Sequence, residues 1–192
     1  GVRIVGEVPA GLPALGLTYH AHLPLDLPWR DGSKAVADVI WALEQKIAFL
    51  CPRGYVLHPP APGQLSGLLA HRPDLASLLR LENTAHGDLT GIWDEITALN
   101  LGVCLYVGHM VSYGQDGMLS LSGFFDRVRM LHVYGGESKR GHAGLDQLPD
   151  PGLLRDILRR VRADAVLVVE IFSLDELERS LDLLRSWLLR WG

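Results

Sequence analysis

The sequence predicts an α/β fold, a shortened or incomplete (β/α) barrel of the TIM type with its ligand groups at the carboxyl ends of the strands. Six short apolar runs with strand propensity alternate with amphipathic stretches of helical period, which is typical of a parallel sheet covered by helices. Histidine or glutamate closes most of these runs, and the sequence has no GxGxxG loop of the kind that marks an open nucleotide-binding sheet. At 192 residues the chain is short for eight strand-helix units, which need at least about 200 residues, so we expect an incomplete barrel.

Each element is placed by its hydrophobic period. The predicted strands cover residues 17–22, 55–58, 78–82, 103–107, 130–134 and 166–170. The predicted helices cover residues 33–50, 64–71, 89–99, 119–128, 152–163 and 174–189. The first helix is well defined because apolar side chains recur every three or four residues from Val36 to Leu50 and Ser33 is a suitable N-cap. Residues 2–8 could supply another strand, although no helix-length segment separates them from Leu17.

Composition and charge narrow the class of protein. With 48% hydrophobic and 21% charged residues, the chain is expected to form a single domain, residues 1–192, around one core. A net charge of −4 and a pI near 6.0 disfavour nucleic acid as a partner. The two cysteines, Cys51 and Cys104, form no CxxC motif, which fits a reducing compartment, and we expect the cytoplasm. No secretory signal and no apolar run of membrane-spanning length is visible, so no membrane partner is expected.

Imidazole and carboxylate side chains stand at or just after the ends of the apolar runs. The set comprises His20, His22, His58, Glu82, His109, His132 and Glu170. Because the carboxyl ends of parallel strands meet at one face, these groups are expected to converge, and divalent transition metals bind such donors. A single histidine of this kind is more often structural, but the recurrence favours a metal centre. His20 and His22 share a face of their strand, so alternation does not decide which of them points inward.

A second set of polar side chains is predicted to line the substrate pocket. The set comprises His20, His86, Tyr134, Lys139, Arg140 and His142. Most of it belongs to residues 132–142, a long glycine-rich segment with a basic tip that could close over a substrate or contact a phosphate. An ordinary polar surface loop explains this segment equally well. For His86, beside Gly87, the alternative is a solvated loop histidine.

The order of short motifs along the chain resembles a known superfamily. The motifs LHPP at 57–60, LENT at 81–84, CLYVGH at 104–109, LHVYG at 131–135 and VVEIFS at 168–173 resemble the xylose isomerase-like TIM-barrel superfamily, which includes the type 2 AP endonucleases. Within that superfamily, YHAHLPLDLPW, GHMVSYGQ and EIFSLDELERSL resemble the cobamide-remodelling phosphodiesterases of the CbiR type. The resemblance runs from Leu17 to the C-terminus, and its most specific part is the order of the motifs, one at each strand end.

This resemblance implies a metal-dependent hydrolase. The residues that match metal ligands of the superfamily are His22, His58, Glu82, His109, His132 and Glu170. Zinc is the expected ion and manganese the alternative, and Glu82 or Glu170 would also act in catalysis by bridging two ions or orienting water. The implied substrate is a corrinoid, because CbiR-type members cut the phosphodiester of the nucleotide loop of a cobamide such as adenosylcobalamin, leaving cobinamide phosphate and the lower-base nucleoside. A metal ion suits this chemistry because it neutralises the phosphodiester and lowers the pKa of bound water.

The sequence departs from the superfamily at three places. Tyr106 stands where the superfamily has an aspartate, and a neutral phenol is a poor ligand for a hard cation. The Asp-x-His pair expected after His132 is reduced to His142, with Arg140 two residues before it. The resemblance also implies a first strand and helix before Leu17, and we expect these to be missing or replaced by residues 1–16.

Other classes of function stay open. A sugar-phosphate isomerase or epimerase of the same superfamily would also hold metal with glutamate and histidine, and usually adds a lysine or aspartate at the strand ends. A non-catalytic corrinoid-binding or metal-binding protein is compatible with Tyr106 in a ligand position. An AP endonuclease fits less well, because it needs a strongly positive DNA-binding face and the net charge is −4.

Overall fold

Strands and helices alternate along the chain in the predicted order. The computed structural model describes residues 16–138 and 141–192, so the predictions for residues 2–8, Lys139 and Arg140 concern residues outside this part of the chain. The strands are β1 (Ala21–His22), β2 (Tyr55–Leu57), β3 (Leu79–Glu82), β4 (Gly102–Tyr106), β5 (Val128–Val133), β6 (Glu137–Ser138), β7 (Gly141–His142) and β8 (Val166–Val169). The helices are α1 (Ser33–Ile47), α2 (Gln64–His71), α3 (Trp93–Ala98), α4 (Val107–Ser112), α5 (Phe124–Arg127), α6 (Pro151–Arg160) and α7 (Leu174–Trp191). Among the described residues, no helix is both long enough and apolar enough to cross a membrane.

Six strands belong to one sheet, in the order β1-β2-β3-β4-β5-β8. The chain divides into two compact units, and in the first, residues 16–81 and 91–102, β1 pairs with β2 and β2 with β3. In the second unit, Glu82–Thr90 and Val103–Gly192, β4 pairs with β5 and β5 with β8, and Tyr106 lies opposite His132. All of these pairings are parallel, and helices connect successive strands. The predicted fold class, a shortened α/β barrel of the TIM type, is confirmed, whereas a single domain over residues 1–192 stays a prediction.

Apolar helix faces form the interior of the first unit. The buried residues of α1 are Val36, Ala37, Ile40 and Ile47, and those of α2 are Leu65, Leu68 and Leu69. The two helices pack closely because Gly67 has no side chain, and a Cβ there would lie 2.3 Å from the Ser33 hydroxyl oxygen. Glu95 of α3 accepts hydrogen bonds from the backbone amides of Gly63 (2.8 Å) and Ser66 (2.6 Å). A carboxylate thereby satisfies amide groups at the start of α2 that have no partner within the helix.

Continuous apolar strands form the interior of the second unit. Every residue of β4 is buried, and so is every residue of β5 except Arg129. This explains why the two runs are apolar throughout instead of alternating with polar residues. Tyr106, Tyr134 and Ile171 form a buried cluster against which Leu177 of α7 packs. The start of α6 follows the expected signals, since Asp150 accepts a hydrogen bond from the Gly152 amide (2.8 Å) and Pro151 occupies the first turn.

Three elements differ from their predictions by more than a few residues at one end. The helix predicted at 119–128 is a 3-10 helix, Asp116–Ser120, followed by the short α5, and the break falls at Gly123, whose φ of 70° lies in the left-handed region. The helix predicted at 89–99 begins as a 3-10 turn, Thr90–Ile92, and only α3 is α-helical. The strand predicted at 17–22 is reduced to β1, because the other residues make no ladder in the described part of the chain.

The glycine-rich segment after β5 is a hairpin. Strands β6 and β7 pair antiparallel, with Glu137 opposite His142. The hairpin is closed at its base by a hydrogen bond from the Gly135 amide to the Ala143 carbonyl (2.9 Å). No side chain fits at Gly135, because a Cβ would lie 1.9 Å from the Gly144 carbonyl oxygen. As cross-strand neighbours, Glu137 and His142 are held side by side.

Candidate metal centre

Four metal-binding side chains of the second unit lie together, each at or near the end of a different strand. Glu82 ends β3, Cys104 lies on β4, His132 lies on β5 and Glu170 follows β8. The Nδ1 atom of His132 is 2.7 Å from Glu82 Oε1 and 3.1 Å from Glu170 Oε2. One donor atom from each of Glu82, Cys104 and His132 lies within 4.8 Å of the others. We call these four residues the His132 cluster. Glu82, His132 and Glu170 were predicted as ligands from the sequence, and Cys104 was not.

The burial of the His132 cluster makes its charges costly without a cation. Glu82 is 1% exposed and His132 is 7% exposed. His132 Nδ1 and Glu170 Oε2 are buried, and neither makes a well-aligned hydrogen bond, although Nδ1 lies 2.7 Å from Glu82 Oε1 and 3.1 Å from Glu170 Oε2. Two carboxylates around one imidazole edge require a positive charge, which either a proton on the ring or a metal ion can supply. This donor set fits a zinc-type ion.

The pKa shifts within the His132 cluster follow from its charges. Burial alone would lower the pKa of His132, but its contacts with Cys104, Glu170 and Glu82 outweigh burial and raise it. Burial alone would raise the pKa of Glu170, but His132 and Tyr106 outweigh it and lower the pKa. Burial raises the pKa of the Cys104 thiol to about 12. Without a metal ion, an imidazolium therefore compensates the carboxylates and the thiol keeps its proton.

Tyr106 is a buried neutral phenol beside the His132 cluster. Its ring lies 4.0 Å from the His109 ring and 5.3 Å from the His132 ring, between centroids. The Tyr106 amide donates to Asn83 Oδ1 (2.7 Å), and Asn83 Nδ2 donates back to the Tyr106 carbonyl (3.1 Å). Burial, followed by the charge of Glu170, raises the pKa of Tyr106. The phenol therefore stays protonated and can donate a hydrogen bond.

Asn83 and Gln115 form a buried amide pair that the sequence analysis did not identify. Asn83 Nδ2 also donates to Gln115 Oε1 (2.9 Å), and Gln115 Nε2 donates to the Thr84 carbonyl (2.6 Å). Because buried amides need partners, this pair fixes the chain that follows β3 to the end of α4. The sequence offered one signal for this pair, because the motifs LENT and GHMVSYGQ contain the uncharged polar residues Asn83 and Gln115.

His109, Glu137 and His142 form a second group, which we call the hairpin group. One donor atom from each lies within 4.8 Å of the others. His109 Nδ1 donates to the Asn83 carbonyl (3.2 Å), so Nε2 is the ring nitrogen left to face Glu137. That Nε2 lies 3.3 Å from Glu137 Oε1, and a proton or a cation between these two atoms would satisfy both of them. Glu137 was missed because residues 132–142 read as a loop rather than as paired strands.

His142 connects the two groups through the phenol of Tyr106. Its Nδ1 lies 3.0 Å from the Glu170 carbonyl, which can only accept, so Nδ1 carries the proton. The Tyr106 hydroxyl lies 3.2 Å from both ring nitrogens of His142, and Nε2 is the one with a lone pair that can accept from it. The His142 ring stacks on Tyr134 at 4.1 Å and is tilted against Phe172 at 4.8 Å, between centroids. Burial, followed by the hydrogen bond from its hydroxyl to Glu137, raises the pKa of Tyr134.

Two predicted ligands, His22 and His58, lie together in the first unit. They stand at the carboxyl ends of β1 and β2, and their rings meet edge to face with centroids 5.1 Å apart. His22 Nδ1 donates to the Leu23 carbonyl (2.7 Å), which leaves Nε2 as the ring nitrogen with a lone pair. His20 lies beside Gly54, which precedes β2, because a Cβ at Gly54 would be 3.4 Å from His20 Nδ1. Alternation along the strand did not distinguish His20 from His22. In the structure, His22 is the last residue of β1 and lies beside His58.

The structure thus groups most of the predicted metal ligands. Within one unit or the other it brings together Glu82, His132 and Glu170, His109 with His142, and His22 with His58. His86 lies exposed in the turn that joins Thr84 to Gly87. The substrate-binding roles of His20, His86, Tyr134 and His142, and the ligand roles of the grouped residues, stay predictions.

No protein-family model and no curated protein matches this sequence. Solved structures do match it. Endonuclease IV from Thermus thermophilus is 22% identical, with a TM-score of 0.62, and the match covers 94% of this chain and 80% of that chain. A xylose isomerase domain containing protein from Salmonella typhimurium is 14% identical, with a TM-score of 0.65 and coverage of 90% and 77%. The IOLI protein with a binding zinc atom is 12% identical, with a TM-score of 0.56 and coverage of 91% and 75%.

These likenesses show the fold. The matched structures belong to the xylose isomerase-like TIM-barrel and endonuclease IV superfamily, and one of them binds zinc. At identities of 22% or less, these likenesses do not identify the reaction of this chain.

Proposed function

We propose that this protein is a metal-dependent phosphodiester hydrolase that acts on a cobamide, releasing cobinamide phosphate and the lower-base nucleoside. The observation that carries the proposal is the His132 cluster, in which the buried atoms His132 Nδ1 and Glu170 Oε2 face each other without a hydrogen bond. The cobamide class rests on the resemblance of the motifs that contain His22, His109 and Glu170 to CbiR-type phosphodiesterases. The proposed compartment is the cytoplasm.

The metal would be held by side chains already placed at strand ends. In the second unit, Glu82, His132 and Glu170 are the proposed ligands, and His22, His58 and His109 are proposed as further ligands. When bound, zinc or manganese supplies positive charge to the phosphodiester and lowers the pKa of a water molecule. Because the carboxylates of Glu82 and Glu170 flank the same imidazole edge, either of them is placed to orient that water and accept its proton.

Tyr106 and His142 are proposed to handle the phosphate and the leaving group. The Tyr106 phenol stays protonated, so it can donate a hydrogen bond to a phosphate oxygen. When the hydroxyl turns from His142 to the phosphate, Nε2 of His142 is free to take a proton from solvent and to give it to the departing oxygen, while the proton of the attacking water stays on a carboxylate until it is released to solvent. Phe172 is 62% exposed and covers His142, and its face suits a large, partly apolar ligand such as a corrinoid. Lys139 and Arg140, outside the described residues, stay proposed contacts to phosphate.

The test is turnover of adenosylcobalamin by the full chain loaded with zinc or manganese. We expect cobinamide phosphate and the nucleoside as products, detected by mass spectrometry, and loss of both in His132→Asn and Glu82→Gln. His71→Asn is the matched control, because His71 is an exposed histidine at the end of α2 and lies outside the proposed site. Product formation that persists in His132→Asn, or in protein freed of metal, would contradict the proposal.

The alternatives give different outcomes in the same assay. Corrinoid binding with no product would favour a non-catalytic binding protein. A sugar-phosphate isomerase or epimerase draws support from the likeness to a xylose isomerase domain. It usually needs a lysine or aspartate at the strand ends, and the two described lysines, Lys34 and Lys46, both lie on α1. Interconversion of sugar phosphates by the zinc-loaded chain would replace the phosphodiesterase proposal.

A further inference from the structure

Strand β4 brings a thiol into the His132 cluster. Cys104 is 0% exposed, and its Sγ lies 3.7 Å from Glu82 Oε1. The strand reads GVCLY, so it offers no carboxylate and no imidazole, and apart from Cys104 its one polar side chain is the phenol of Tyr106, a poor metal ligand. Cys104 is therefore the residue of β4 whose side chain binds divalent transition metals well.

An independent observation points to an ion at the same place. His132 is 7% exposed, and its buried Nδ1 makes no hydrogen bond although it lies among Cys104, Glu82 and Glu170. A buried ring nitrogen in this state is costly unless another partner satisfies it. A cation bound by His132 Nδ1, Cys104 Sγ and the carboxylates of Glu82 and Glu170 would satisfy all four side chains together.

We infer that Cys104 is a metal ligand, and that its thiolate completes a four-donor set with Glu82, His132 and Glu170. The inference rests on the proposed metal-dependent function and names the ligand contributed by β4. In a tetrahedral zinc site with bonds of about 2.0 to 2.3 Å, neighbouring donors are about 3.3 to 3.8 Å apart. The donors of Glu82, Cys104 and His132 already lie within 4.8 Å of one another, so closing around an ion requires side-chain shifts of about 1 Å. Binding replaces the S–H bond of Cys104 and the Nδ1–H bond of the metal-free His132 imidazolium with bonds to the metal, and it releases both protons to solvent.

This ligand set predicts which metal the site prefers. Thiolate is a soft donor and favours zinc and cobalt over manganese and magnesium, which favour oxygen ligands. The inference thus selects zinc over the manganese alternative. It also explains how the chain keeps a four-donor site although Tyr106 cannot supply a carboxylate: β4 contributes its ligand two residues earlier, at Cys104.

The competing explanation is that Cys104 is only a small buried side chain. A free thiol often packs as an apolar group, and here it also makes a weak hydrogen bond to Glu82. Under that explanation the metal is held by nitrogen and oxygen alone, and no sulfur is bonded to it.

The experiment is a titration of the metal-free, reduced full chain with Co²⁺, followed by absorption spectroscopy and elemental analysis. A cobalt–thiolate bond gives a charge-transfer band in the near ultraviolet that nitrogen and oxygen ligands do not give. We expect this band to rise with bound cobalt in the native chain and equally in Cys51→Ser, which removes the exposed cysteine as the matched control. In Cys104→Ser we expect the band to vanish and the zinc affinity to fall by at least about tenfold, since even outer-shell substitutions cost that much.

Each other outcome overturns the inference in a recognisable way. If cobalt binds to the native chain without the band, Cys104 is not a ligand, and the metal-dependent function can still stand. If neither cobalt nor zinc binds, both the inference and the proposed function fail. The spectra of the native chain and of Cys51→Ser decide the matter even if Cys104→Ser does not fold.

Discussion

Gly108 is the position where one added methyl group should disturb the candidate site most. It lies in α4, one residue before His109, with its backbone against the ring of Tyr134. A Cβ at Gly108 would lie 1.9 Å from Tyr134 Cε1 and 2.3 Å from Cδ1. Tyr134 is 0% exposed and stacks on His142, so its ring has little room to move. We predict that Gly108→Ala destabilises the protein and displaces the hairpin group.

The size of the effect follows from these contacts. Ordinary van der Waals contact lies at 3.4 to 4 Å, so the ring of Tyr134 must shift by about 1.5 to 2 Å. Overpacking of this kind costs about 1 to 3 kcal/mol. The shift also breaks the 2.6 Å hydrogen bond from the Tyr134 hydroxyl to Glu137, and a hydrogen bond to a charged group contributes about 1.5 to 3 kcal/mol. Alanine regains up to about 1 kcal/mol of helix propensity, which leaves a loss of about 1.5 to 5 kcal/mol.

The assay is urea denaturation of Gly108→Ala beside Gly117→Ala. Gly117 is the matched control, because a Cβ there meets nothing within 4 Å, and we expect a change within about 0.5 kcal/mol. In a Tyr134→Ala background the clash disappears, so adding Gly108→Ala should then cost little. Equal stability of Gly108→Ala and the native chain, or the same loss in both backgrounds, would refute the reasoning.

Three further predictions concern the metal, one helix start and position 106. Chelation should lower the melting temperature and zinc should restore it, with about 2.7 kcal/mol of stabilisation at a zinc concentration 100 times Kd; a zinc response that survives in His132→Asn would reject the His132 cluster as the binding site. Burial alone would raise the pKa of Glu95, but hydrogen bonds from Ser66 and Gly63 outweigh it and lower the pKa. The contribution of ionised Glu95 to the free energy of unfolding is therefore complete above the ordinary pKa of 4.5 and is lost as the pH falls through the lower pKa of the folded state. In Glu95→Gln, the urea midpoint should consequently fall less between pH 6 and pH 3 than it does in the native chain. An equal fall in both proteins would contradict this. Tyr106→Asp adds a carboxylate beside the cluster and should raise zinc content by elemental analysis relative to Tyr106→Phe; equal zinc content in the two variants would reject position 106 as a ligand position.

The fold was predictable because its signals are local. Apolar runs that are buried on both faces, such as β4 and β5, differ from the amphipathic period of α1 whatever surrounds them. Glycine also acts locally, and Gly123 divides the helix predicted at 119–128 because it adopts a positive φ. The apolar period alone does not reveal that break.

The candidate ligands were partly predictable because of where they stand on the strands. Glu82, His132 and Glu170 follow or end apolar runs, and parallel strands carry such positions to one edge. Cys104 was missed because a cysteine inside a strand reads as an ordinary core residue, and only the positions of Glu82 and His132 show what its sulfur faces. Glu137 was missed because strands of only two residues show no alternation of polar and apolar side chains that would distinguish a hairpin from a loop.

The sequence by itself determined the alternation of strands and helices, the burial of the strands and the placement of imidazoles and carboxylates at their ends, because hydrophobic period and residue type act over a few neighbouring residues. Only the tertiary structure decided which of these groups meet, which ring nitrogen carries a proton and that Tyr106 is held as a neutral donor. These properties depend on distances of a few ångströms between residues far apart in the chain, since Coulomb energy and hydrogen-bond alignment vary steeply over that range. His132 and Glu170, 3.1 Å apart and separated by a whole strand-helix unit, are an example of such a pair.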